Sequence, residues 1–154
     1  QDFTDLMYFL NGGIEKFVYK LKGMVESIGD LDYIPPALSF MDFAQIDGSS
    51  IRLLLEEIAC RTDYEVLILD LSDYLNDLFD ILLVCDRIYT ITKEDGIALA
   101  KLQQYEQLVS YMQKEEILGR TRKVSLPTFE EIPSRLEELP FSQLAEYIRE
   151  EILK

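Results

Sequence analysis

The stretch "YEVLILDLSDYLND", residues 64–77, constrains this chain most. Four apolar residues run without interruption from Val66 to Leu69 and end on Asp70. A strand with one wet face alternates apolar and polar residues. A consecutive run instead predicts a strand from Tyr64 to Asp70 covered on both faces, as in a parallel sheet under helices. Ligands of such sheets sit at the carboxyl ends of the strands. Asp70 stands at one of those ends, with Asp73, Asn76 and Asp77 close behind. Two readings follow: an acid that holds magnesium beside a nucleotide, or a core strand meeting water.

The flanking pattern alternates helices and strands. Thr4 is expected to cap a helix through Leu10, which "NGG" at 11–13 ends. Ile14, Phe17, Val18 and Leu21 mark a second helix at helical spacing. "LDYI", 31–34, is a short strand stopped by Pro35 and Pro36. Ser49 or Ser50 caps a helix that buries Ile51, Leu54, Leu55 and Ile58. "NDLFDILLVC", 76–85, reads as a helix capped by Asn76 or Asp77. "RIYTIT", 87–92, is a strand, and "RKVSLP", 122–127, another ended by Pro127. Between them, 94–113 is a long helix with Ile97, Ala100, Leu102, Tyr105, Leu108 and Met112 inward. A closing helix turns Leu144, Ile148 and Ile152 to the core. With right-handed crossovers this order predicts an α/β fold, a mostly parallel sheet of at least four strands flanked by helices. It forms a single domain over 1–154. Thr92 and Pro127 should emerge on the same edge as Asp70.

Composition narrows the chemistry. With 48% apolar residues, 154 residues can bury a sizeable core. The formal charge is −14, from 29 acids and 15 bases, which disfavours nucleic-acid backbones and anionic membranes. The chain has no histidine, which removes Ser-His-Asp and Cys-His chemistry and most zinc sites. Cys60 and Cys85 are expected as buried reduced thiols, in keeping with a cytoplasmic setting. No apolar run approaches the roughly 18–20 residues of a membrane span. The chain opens on Gln1 and the helical pattern begins abruptly, as expected of a piece of a longer protein.

In the nucleotide reading, Asp70 holds magnesium through a water and residues 71–77 sense the γ-phosphate. A phosphate cradle should accompany it. None of the seven glycines falls in a G-x-x-x-x-G-K-S/T pattern, so backbone amides and a lysine for a triphosphate are missing. No catalytic residue is assigned, and the chain by itself is not expected to hydrolyse ATP. In a receiver-like reading, Asp70 accepts a phosphoryl group, Thr92 is the switch hydroxyl, Lys123 the distant lysine, and Asp30 and Asp32 hold the metal. Only one helical pattern separates Ile34 from Tyr64, one element pair too few for that topology. The basic cluster Arg120, Arg122 and Lys123 is either a solvated rim or a docking site for an acidic partner.

The order "TDLMYFL … GDLDYIPP … IRLLLEEIACRTDYEVLILDLSDYLND … CDRIYTITKEDGIAL … VSLP" resembles the later two-thirds of the MinD/ParA family of deviant Walker P-loop ATPases. Its nearest flavour is the CpaE/TadZ branch linked to pilus assembly. The resemblance implies a P-loop NTPase-like domain truncated ahead of Gln1, where the family's phosphate loop lies. It implies that Asp70 is the Walker B acid and magnesium contact, and that Pro127 lines the nucleotide base. ATP and magnesium would then belong to the parent protein. "SDY", Ser72–Tyr74, stands where the family has a Pro-Gly turn, so weak or lost hydrolysis is expected. The implied role is a localisation or assembly scaffold. Its partners would be pilus-assembly or polar-localisation proteins, with homodimerisation across the nucleotide face. The alternative is an active ATPase whose loop lies upstream. The mixed-sign closing helix, with Glu146, Glu150 and Glu151, is expected to pack on the sheet rather than anchor to a membrane.

Overall fold

The computed structural model of the chain describes residues 3–10, 14–35, 46–71, 77–93, 95–129 and 131–152. The fold mixes helices with two separate two-stranded sheets. It divides into two compact units, residues 1–84 and 85–154.

In the first unit, α1 (Phe3–Leu10) and α2 (Ile14–Met24) pack against each other. The first begins a residue before the expected Thr4 cap. The second runs three residues past Leu21, through Gly23 to Met24. Phe17, Leu21 and Met24 recur at helical spacing and are buried, with Val18 half-buried beside them. β1 (Glu26–Ile28) and β2 (Leu31–Tyr33) form an antiparallel hairpin. Gly29, at φ 61°, makes the turn in a conformation that a side chain would strain. The "LDYI" strand is thus present, but as half of a hairpin and not as a member of a parallel sheet.

Next comes α3 (Gly48–Arg61). Its cap is Asp47, not Ser49 or Ser50: the Asp47 carboxylate accepts from the Ser50 amide at 2.7 Å. Ile51, Leu54 and Ile58 are buried, as their spacing predicts, and Leu55 packs at the edge of the same cluster. The helix expected over 76–85 shrinks to α4 (Leu78–Leu82), which buries Ile81 and Leu82. One apolar core joins Leu6, Phe17, Leu21, Leu54, Ile58 and Ile81. No polar or charged side chain is buried among the described residues.

The Asp47 cap makes this unit acid-sensitive. Its carboxyl is held below its ordinary value, first by the Ser49 hydroxyl and then by the Ser50 amide. Asp32 is lowered in the same sense by hydrogen bonds from Ser27 and Tyr64. A depressed carboxyl contributes stability that is present above its unfolded pKa and lost as pH falls through the folded one. Thermal melts from pH 6 downward should therefore show a falling midpoint below about pH 4. Asp47→Asn should flatten that fall, and a parallel curve would contradict the cap's role.

The second unit is built on β3 (Ile88–Thr92) and β4 (Thr121–Ser125), which pair in parallel with Ile88 opposite Thr121 and Thr92 opposite Ser125. Parallel strands need a long crossover. It is supplied by α5 (Gly96–Tyr111) and by α6 (Glu115–Arg120), a short helix missed in the sequence. The inner face of α5 matches the expected one at Leu102 and Tyr105 and departs from it at Ile97, Ala100, Leu108 and Met112, which are exposed. Val109 is fully buried with Ala98, Leu102 and Tyr105 half-buried, an i, i+4, i+7, i+11 row. Ile97, Leu108 and Met112 point outward, Ile97 with 74% of its surface exposed. Ile88, Val109, Ile117 and Val124 are the buried apolar residues described in this unit.

The closing segment is not one helix. A 3-10 turn (Leu136–Phe141) precedes α7 (Gln143–Tyr147), whose Ser142 cap accepts from the Ala145 amide. The last turn, Ile148–Ile152, is a π-turn. Leu144, Ile148 and Ile152 are each half-buried, in line with an inward face.

Candidate functional site

Residues 64–71 form no strand, and their backbones make no hydrogen bonds to other described residues. Val66 and Ile68 are 72% and 81% exposed. Leu69 and Leu71, on the alternate positions, pack against the core of the first unit. The segment is therefore anchored along one side and bare along the other, not covered on both. The expected buried central strand is corrected to a half-exposed stretch with no strand partner among the described residues. Consecutive apolar residues report a preference for burial, but covering both faces takes neighbouring elements, which a local pattern does not contain.

Asp70 is exposed at the end of this stretch. Of its acidic followers, Asp73 and Asn76 lie outside the described residues, as does the Ser72–Tyr74 turn. Asp77 faces elsewhere: it sits at the start of α4 in the left-handed region, φ 55°, and its carboxylate accepts from the Gly48 amide at 3.1 Å. That bond ties α4 to the start of α3. Among the described residues, no three acids or thiols come together as a metal site.

The receiver-like residues have other partners. Asp32 accepts from the hydroxyls of Ser27 and Tyr64 on the hairpin side of the first unit. In the second unit Thr92 donates to the Lys93 carbonyl, and Lys123 pairs with Glu106.

Thr92 and Pro127 do emerge on one edge. Thr92 ends β3 opposite Ser125, and the Leu126 amide donates to the Thr92 carbonyl at 3.2 Å, so exposed Pro127 follows directly. Asp70 belongs to the other unit. Behind this edge α5 begins, but its first amides are taken: the Asp95 carboxylate accepts from Ile97 and Ala98 at 2.9 and 2.8 Å. A phosphate there would meet a carboxylate rather than open N–H groups. Tyr147 was not singled out in the sequence, yet its hydroxyl donates to the Ser125 carbonyl at 2.9 Å and its ring meets Phe129 edge-on. An aromatic among charged residues near a chain end carries no signal of such a role.

The basic cluster is engaged within the unit. Arg120 donates to the Cys85 carbonyl and pairs with Glu116. Arg122 donates to the carbonyls of Glu151 and Ile152 at the end of the π-turn, where a cation is favoured. With Lys123 on Glu106, the cluster serves the fold. Neither cysteine is in a disulfide, but their burial differs from expectation: Cys60 is exposed and Cys85 half-buried. Burial, then the neighbouring Asp86, raises the Cys85 thiol and disfavours its reactive thiolate.

Comparison with known proteins gives no match: no family model, curated protein or solved structure is similar enough to this chain to count as a relative. Among the described residues no helix is long and apolar enough to cross a membrane.

Proposed function

We propose that the chain is part of a MinD/ParA-like α/β domain of the CpaE/TadZ type. In this reading it serves in the cytoplasm as a localisation or assembly scaffold with weak or lost nucleotide hydrolysis. The observation that carries the reading is the bare side of residues 66–70. An apolar segment with Val66 and Ile68 in water and Leu69 and Leu71 on the core suits a sheet strand whose neighbours belong to a larger domain. The parallel β3–β4 pair with its helical crossover is compatible with such a sheet. Asp70 would be the Walker B acid and Pro127 a base contact, with ATP and magnesium bound only when the phosphate loop is supplied. The scaffold role rests on chemistry: a lone exposed carboxylate repels a triphosphate unless amides and a cation neutralise it.

Calorimetry with Mg-ATP tests this on the chain itself. No binding heat is expected up to millimolar nucleotide, and micromolar binding would contradict the reading. In the parent protein, Asp70→Ala should leave localisation intact. Loss of localisation with loss of turnover would favour the active ATPase instead.

A further inference from the structure

The helix α5 carries two rows of largely apolar residues, and the fold of the second unit covers one of them. Ala98, Leu102, Tyr105 and Val109 form the covered row. Ile97, Gln104, Leu108 and Tyr111 form a second row, about 120° away around the helix. All four are exposed, Ile97 and Tyr111 by 74% and 85%. Ala100 and Met112 border this row and are exposed as well. A surface helix ordinarily turns charged residues to water on such a face. The sixteen residues of α5 include two charged ones, Lys101 and Glu106, which cancel, and Glu106 is held by Lys123. In a chain of charge −14, this face is close to neutral. Apolar side chains exposed in one continuous row, rather than singly, mark an interaction surface.

We propose that this row joins two copies of the chain, α5 against α5, antiparallel about a two-fold axis at Gln104. The row is its own complement under that operation. Ile97 and Tyr111 each stand seven residues from Gln104, so each tyrosine ring meets Ile97 of the second copy. Ala100 and Leu108 each stand four away, so the large side chain meets the small one. Gln104 meets Gln104, and two side-chain amides can exchange hydrogen bonds. A parallel pair would set Lys101 against Lys101. The antiparallel pair offsets the two ammonium groups by six residues, about 9 Å along the axis, and opposes the helix dipoles. Charge favours a second copy as the occupant. Two chains of charge −14 repel each other and meet best where neither presents net charge, and a neutral row gives a charged partner nothing to grip. The contact runs about 24 Å, the length of α5. One helix face from each copy buries less than about 1,200 Å², the range of weak, reversible interfaces. The pairing stands whether or not Asp70 meets a nucleotide.

The test is sedimentation equilibrium of the whole chain from about 5 to 500 µM, where a weak dimer forms with rising concentration. Raising salt from about 50 to 300 mM should strengthen it, because screening removes the repulsion between the acidic chains. Leu108→Lys should weaken the dimer at least about tenfold, although it brings the charge from −14 to −13 and so lessens that repulsion. Leu99→Lys makes the same charge change at an exposed position on the far side of the helix, and should alter the dimer less than about twofold. Thermal midpoints equal to the parent's show that the variants fold, and Tyr111→Lys repeats the test should Leu108→Lys unfold. In a Cys60→Ser/Cys85→Ser background, Gln104→Cys should oxidise to a disulfide-linked dimer. Ile97→Cys should not, since its two thiols would stand about 21 Å apart. A monomer at every concentration, a dimer that salt weakens, or equal loss with Leu99→Lys would each overturn the proposal. So would cross-linking of Ile97→Cys as readily as of Gln104→Cys.

Discussion

Replacing Phe17 by alanine is expected to remove at least about a quarter of the stability of residues 1–84. Phe17 is 1% exposed and lies at the centre of the cluster formed by Leu6, Leu21, Leu54, Ile58 and Ile81. Truncating a buried phenylalanine costs about 3–5 kcal/mol, the lost transfer energy plus the cavity left behind. At the usual 0.05–0.15 kcal/mol per residue, a unit of this size is stable by roughly 4–13 kcal/mol. The substitution therefore consumes between a quarter and all of it. Each kcal/mol shifts the midpoint of a unit this small by about 4–8 °C. Thermal unfolding followed by circular dichroism should show a drop of at least about 12 °C. Phe17→Leu, which keeps most of the volume, should recover more than half of the loss. A midpoint within about 2 °C of the parent would show that Phe17 is not central to the packing.

The second large effect is a sign reversal at Gly48. At an ordinary helical position, glycine to alanine stabilises by up to about 1 kcal/mol, because alanine has less backbone entropy to lose. Here a Cβ would sit 2.6 Å from the Cβ of Asp77, closer than atoms approach without moving. The same approach lets the Gly48 amide donate to the Asp77 carboxylate. Overpacking of this kind costs about 1–3 kcal/mol, so the clash outweighs the entropy gain. Gly48→Ala should lower stability, measured by urea denaturation. Asp77→Gly supplies the control, since it removes the offending Cβ and suits the left-handed φ of 55°. On that background Gly48→Ala should be neutral or stabilising. An equal loss in both backgrounds would place the cost outside the Gly48–Asp77 contact.

Local patterns were legible where a residue's role depends on near neighbours. Ile51, Leu54 and Ile58 are spaced for a helix face and are buried; the strand at 88–92 and the Pro-terminated strand at 121–125 lie within a residue or two of expectation. Asp47 and Asp95 were missed as caps because serine or a helix start beside them competes for the same role, and only geometry shows which oxygen reaches the free amide. The α5 face was misjudged because apolar residues surround that helix on several sides. Ile97 and Leu108 then compete with Ala98 and Val109 for the core, and the smaller pair is the one turned inward. The candidate site was the least legible part. Asp70 reads in the sequence as the end of a buried strand, whereas the exposure of Val66 and Ile68 before it depends on neighbouring elements that a local pattern does not contain.

Everything said of Asp70 depends on residues 64–71 being bare along one side and making no ladder with the other described residues. Hydrogen–deuterium exchange of the chain measures this directly. The amides of Val66, Leu67 and Ile68 should exchange far faster than those of Val124 and Leu126, which the parallel ladder bonds to β3. Protection of the three amides equal to that of β3 and β4 would show a covered sheet strand, and would contradict this description of the acidic strand end.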